Sequence, residues 1–200
     1  MIEIQRVLDC TDLFDLSTNL SDEEKIFIYF YSFKQMKMKD IELELKKYDI
    51  NKKYEDVQRL VKECKKYTTN IQNIRNKFTE DRKRDNNDDF QSFYKWYIKQ
   101  NNHCGYCGIT QEELYSIFET QLPLNDKIKR SSGTLEIERL DSKTNSYNIN
   151  NLILGCPLCN NAKSNLIDED SWRDLFVIPM RKYYEKLLNK ELINPIPNKN

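Results

Sequence analysis

Two Cys-x-x-Cys pairs, Cys104-Gly-Tyr-Cys107 and Cys156-Pro-Leu-Cys159, stand 48 residues apart in the chain. Each pair can present two sulfurs from one tight turn, and two such turns make a tetrahedral site for zinc. Everything between Cys107 and Cys156 must therefore leave the first turn and return to it. Four protein ligands leave no open position, so the expected ion is structural, one per chain. Binding of that kind releases roughly 10–16 kcal/mol in small modules, as much as a whole domain's stability. The C-terminal half is expected to unfold when the ion is stripped.

Between the pairs, Leu135-Glu-Ile-Glu-Arg-Leu-Asp141 alternates as a strand does and carries three carboxylates. Ser131-Ser-Gly133 turns into it, after a basic loop that ends at Arg130. A polar loop leads on to a second short strand, Asn151 to Leu154. Pro157, inside the second cysteine pair, starts a helix expected over 157–167. Gln111 to Thr120, Ser171 to Phe176 and Met180 to Leu188 read as flanking helices, and the tail from Ile193 as frayed.

The chain has 200 residues, 38% hydrophobic and 32% charged, enough for one large or two small domains. No apolar run approaches membrane-spanning length and no signal peptide is recognised, so a soluble, cytoplasmic, reduced protein is expected. The two cysteines outside the pairs, Cys10 and Cys64, read as ordinary buried thiols. Net charge is zero but unevenly spread. Residues 1–33 hold two basic and seven acidic side chains, residues 34–84 sixteen and nine, residues 85–200 fourteen and sixteen. A basic middle beside an acidic site suits a polyanion partner and a cation-assisted centre; a solvated lysine-rich helix surface gives the same count.

In the N-terminal half, a short helix and turn occupy residues 1–20. Ser21 and Glu24 then form a capping box ahead of the apolar Ile26–Phe33, expected as a buried helix. Ile41, Leu45 and Tyr48 keep helical spacing, as do Tyr54, Val57, Leu60, Val61 and Cys64 through Tyr67. Three helices with a short break resemble a helix-turn-helix unit. In that reading the third helix turns Lys52, Lys53, Gln58, Arg59, Lys62 and Lys65 toward DNA; any three-helix bundle produces the same pattern. Thr79–Asp89 has no apolar residue and marks a domain boundary, giving a helical domain 1–80 and a second domain 81–200. The aromatic helix Phe90–Gln100 is expected to pack on the metal module that follows it.

Hairpin, helix and four cysteines together resemble the HNH endonuclease family, whose core is a ββα-metal fold. The resemblance rests on Cys104-x-x-Cys107, Leu135-Glu-Ile-Glu138-Arg139, Asn151-Leu and Cys156-x-x-Cys159-Asn160-x-x-Lys163, and spans residues 88 to 190. The expected fold is α+β and mostly helical, a helix-turn-helix-like domain followed by a zinc-stapled ββα module with flanking helices. By resemblance, Glu138 and Asn160 hold a catalytic Mg²⁺ or Mn²⁺, and Asn151 braces the loop carrying the base. Lys163, one turn after Asn160, is placed to meet a phosphate or is an exposed helix lysine. Glu136 shares Glu138's side of a regular strand, as a partner of the site or a solvated group, and Tyr147 either touches the substrate backbone or packs over the hairpin.

The chain departs from the family where the motif's general-base histidine should stand, because Arg139 occupies that position. A guanidinium with a pKa above about 12 cannot accept a proton at neutral pH. Three explanations remain open. Asp141 takes the base role while Arg139 clamps the scissile phosphate; His103, the chain's one histidine, reaches in from the first cysteine turn; or the site binds nucleic acid without cutting it. The leading expectation is a metal-dependent endonuclease for double-stranded DNA, serving restriction, phage defence or a mobile element. Cutting both strands with one centre per chain favours a two-fold homodimer. The alternatives are a catalytically degenerate, zinc-stabilised DNA-binding or regulatory protein and a zinc-ribbon adaptor for protein partners.

Overall fold

A computed structural model describes residues 2–9, 13–14, 19–47, 50–81, 89–120, 133–144, 146–189 and 191. Cys10, Tyr48, most of the boundary stretch, the basic loop ending at Arg130 and the tail from Ile193 lie outside these residues. The chain is mostly helical, with one small antiparallel sheet among the described residues, and divides into two compact units, Met1–Tyr97 and Ile98–Asn200. No described helix is long and apolar enough to cross a membrane.

The first unit holds α1 (Ile2–Asp9), α2 (Asp22–Ile28), α3 (Met38–Lys46), α4 (Tyr54–Glu63), α5 (Lys65–Asp81) and α6 (Phe90–Ile98, to Tyr97). Helix α2 begins at the expected capping box: Glu24 N donates to Ser21 Oγ at 3.3 Å, and Ser21 N to Glu24 Oε2 at 2.8 Å. It runs on into a π-helical turn, Tyr29–Phe33, and its apolar residues are buried with Ile41, Leu45, Val57 and Leu60. The helix read from Tyr54 through Tyr67 is two segments, α4 and α5, because Cys64 leaves the helical conformation at φ −87°, ψ 7°. Burial pushes the Cys64 thiol up to about 12, so it behaves as an inert apolar group.

Helix α6 joins this unit, which moves the division from residue 80 to Tyr97. Its rings pack on Phe33 and Phe78: Phe33 stands 5.0 Å from Tyr94 and 5.5 Å from Phe90, and Phe78 5.0 Å from Phe93. Offset and edge-on aromatic contacts at these distances each add about 0.5–1.5 kcal/mol beyond burial.

The second unit contains the first cysteine turn, α7 (Gln111–Thr120), β1 (Glu136–Arg139), β2 (Leu152–Gly155), α8 (Pro157–Lys163), α9 (Glu169–Leu175) and α10 (Val177–Leu188). Strands β1 and β2 pair antiparallel, Glu136 opposite Gly155 and Arg139 opposite Leu152. Helix α8 follows β2 directly and packs on β1, completing a ββα unit. It ends at Lys163, four residues before the expected end, where Ser164 at φ 48° breaks it. Fully buried Trp172 meets Tyr106 edge-on at 6.3 Å, and Arg181 reaches Glu113 with both Nη atoms at 3.2 and 3.3 Å, joining α10 to α7.

Candidate functional site

The two cysteine turns are built differently. In the first, Gly108 N donates to Cys104 O at 2.9 Å and Cys104 N to Ile109 O at 2.8 Å. The reversal needs Gly108 at φ +73°, where a side chain would be strained. In the second, Cys156 is the N-cap of α8, its sulfur accepting from Cys159 N at 3.3 Å, and Pro157 occupies the first helical position without wasting a donor. A bond from Gly105 N to Leu154 O at 2.8 Å docks the first turn on β2, and Cys156 N donates to Cys104 Sγ at 3.3 Å.

All four sulfurs are buried and lie within 4.8 Å of one another, positioned to bind a metal ion. Cys107 and Cys156 are 3.8 Å apart, too far for a disulfide and close to the edge of about 3.8 Å that Zn–S bonds of about 2.3 Å give a tetrahedron. Hydrogen bonds among the four thiols hold Cys104 well below its ordinary range and, with burial, push Cys107 and Cys159 above theirs. Four sulfurs this close need a cation before all can ionise, so the donor set fits zinc.

The strand period puts Glu136 and Glu138 on one face of β1, toward α8. Glu138 is 8% exposed and Lys163 fully buried, with Lys163 Nζ 3.6 Å from Glu138 Oε1. Lys163, expected at a phosphate, is instead the buried counter-charge of Glu138. Burial raises the Glu138 carboxyl to about 7, the nearby ammonium holding back part of the rise. Neither Glu138 Oε2 nor Lys163 Nζ makes a hydrogen bond among the described residues. Asn160 donates from Nδ2 to Glu136 Oε2 at 2.8 Å.

Glu138 and Asn160 nevertheless border the same space. A Cβ added at Gly155 would stand 2.8 Å from Glu138 Oε2 and 3.8 Å from Asn160 Cβ, so the glycine is what lets the carboxylate and Asn160 come together against β2. A hard divalent ion takes one or two carboxylates, neutral oxygens and several waters. An orphaned buried carboxylate oxygen with an asparagine side chain next to it fits the oxygen part of that demand.

Asn151 gathers the loop after β1. Its Oδ1 accepts from Asp141 N at 2.9 Å, and its Nδ2 donates to Ser146 O at 2.9 Å, Asp141 O at 3.2 Å and Thr144 Oγ1 at 3.3 Å. Asp141 is exposed and past the end of β1, not on an extended strand as expected, and Lys143 N donates to its Oδ1 at 2.9 Å. It lines a cleft of about 440 Å³ with Lys143, Asn165 and Asp168. Arg139 falls on the other face from Glu138, its Cζ 5.1 Å above the Tyr147 ring and its Nη1 donating to Thr144 O at 2.9 Å. His103 sits in a bridge with Thr110, and its Nδ1 lies 3.3 Å from Asn101 O.

In the first unit, Lys52 is tied to Glu23 at 2.7 Å and Arg59 to Asp56 and Glu63, each at 3.6 Å. Lys53 and Lys62 are exposed, Lys53 just ahead of α4 and Lys62 in its last turn. The sequence reading did not assign the buried Glu138–Lys163 pair, and the spacing of Asn160 and Lys163 along α8 carries no signal of burial.

No family model matches this chain, and no curated protein matches it. Among solved structures, it is similar to the rare-cutting HNH restriction endonuclease PacI, at 27% identity over 57% of this chain and 75% of that one, with a TM-score of 0.42.

Proposed function

We propose that this protein is a divalent-cation-dependent DNA endonuclease built on a zinc-stapled ββα module. The observation that carries the reading is the approach of Glu138 and Asn160 to one another across Gly155, beside a four-sulfur site at the junction of β2 and α8. Cys104, Cys107, Cys156 and Cys159 would hold zinc, and Glu138 with Asn160 would hold Mg²⁺ or Mn²⁺. When bound, the hard ion supplies Lewis-acid stabilisation of the charge that develops on the phosphate and the leaving oxygen.

The chain's own residues do the rest. Glu138 offers a carboxylate partly freed of hydrogen-bond partners, at a depth where water competes poorly for it. Asn151 fixes the backbone of Asp141 by two bonds, which supports Asp141 as the group that takes the proton from the attacking water. Arg139, its Cζ 5.1 Å from the centre of the Tyr147 ring, has the planar donor fork that suits a phosphate. Lys53 and Lys62 are the best placed of the four basic residues to contact the DNA backbone, since Lys52 and Arg59 already have acidic partners. Double-stranded substrate, a homodimer and a cytoplasmic role in restriction, phage defence or mobility belong to the same reading.

The Lys163 ammonium beside Glu138 favours a second reading, in which an internal cation has replaced the divalent ion and the protein binds DNA without cutting it. Purified protein incubated with plasmid and a panel of divalent ions separates the two. Nicks or cuts that appear with Mg²⁺ or Mn²⁺, and not without, support the nuclease; retarded but intact plasmid under every ion supports the binder.

A further inference from the structure

We infer that Glu136 is a positioning residue that sets which end of the Asn160 amide faces the cation site; this rests on the nuclease reading above. An asparagine side chain has a donor end and an acceptor end of nearly equal size, and only the oxygen can ligate a metal ion. A carboxylate accepts hydrogen bonds and donates none when ionised. The 2.8 Å contact between Asn160 and Glu136 Oε2 is therefore possible in one sense only, with Nδ2 turned to Glu136. Reversing the amide would set its oxygen against a carboxylate at hydrogen-bond distance.

The chemistry of Glu136 thus commits Oδ1 to the other side. The strand period supports the arrangement. Glu136 and Glu138 stand two residues apart on one face of β1, so a single helix residue can bond the first while it lies with the second against Gly155. Glu136 is also the more exposed of the two carboxylates, and Glu138 already has Lys163 as its partner. The two acids accordingly have separate tasks: one holds the ion and the other aims its neighbour. Partners that orient a metal ligand in this way are typically worth about 10–100-fold in affinity.

The test is Mn²⁺ binding to the zinc-loaded full chain, read by the loss of the free-ion EPR signal, for four proteins: wild type, Glu136→Gln, Asn160→Asp and the double variant. A glutamine at 136 can donate as well as accept, so it no longer distinguishes the two amide orientations. Glu136→Gln is expected to weaken Mn²⁺ binding about 10–100-fold with zinc content and melting temperature unchanged. An aspartate at 160 has two equivalent oxygens and needs no aiming. In that background Glu136→Gln should cause no loss, or a gain as like charges are separated. Wild-type affinity in Glu136→Gln would overturn the inference and leave the cation site standing. Equal losses in both backgrounds would also overturn it, making Glu136 a ligand or a plain source of negative potential. Wild-type protein that takes up no Mn²⁺ would overturn the site and the inference together.

Discussion

Lys163 and Glu138 form an ion pair at 3.6 Å in which the lysine is wholly buried and the carboxylate 8% exposed. Desolvating two charges costs several kcal/mol per ion, and their attraction offsets that only while both are present. Lys163→Met should therefore lower stability by about 3–5 kcal/mol, since it strands a carboxylate in the interior. The double variant Glu138→Gln/Lys163→Met should recover most of the loss. Urea melts of the four proteins measure this. A single variant as stable as wild type would mean that the ammonium is solvated in solution.

Zinc should be worth more than any side chain in the module. The first cysteine turn is tied to β2 by Gly105 N donating to Leu154 O and to the second turn by Cys156 N donating to Cys104 Sγ, weak links beside a shared ion. Stripping the ion at neutral pH, or Cys156→Ala, should unfold the second unit, a loss on the order of the 10–16 kcal/mol of structural zinc binding. Circular dichroism with a zinc-release dye measures both. Zinc-free protein with an unchanged melt would remove the structural role.

The pH dependence of stability has a definite sign at Glu138. Its folded pKa, about 7, lies above the ordinary 4.5, so the folded chain holds the proton more tightly. That contribution is fully present below about pH 4.5 and is lost as the pH rises through 7. The melting temperature of wild type relative to Glu138→Gln, without added divalent ions, should fall between pH 5.5 and 8. A difference that stays constant over that window would place the carboxyl in water.

Local chemistry was the legible part of the sequence. Ser21 and Glu24 name their cap because the two bonds close within four residues, and α7 occupies the expected Gln111–Thr120. The four cysteines announce their cluster because few other arrangements use two such pairs. Long-range partners were not legible. The aromatic load of α6 says that it is buried but not against what, and Phe33 and Phe78 claimed it. Lys163 reads as a surface lysine because nothing near it in sequence shows that β1 will cover it with Glu138. The hydrogen bond from the Asn160 side-chain amide to Glu136 spans 24 residues, and only the folded hairpin brings the two together.

The most direct measurement is plasmid cleavage with Mg²⁺ or Mn²⁺ by wild type, Glu138→Ala and Asn160→Ala, with zinc quantified in each. The account predicts ion-dependent cutting by wild type and a loss of at least about 10²-fold in both variants, at unchanged zinc content. Variants that cut like wild type would show that the space beside Gly155 is not where the phosphodiester bond is broken.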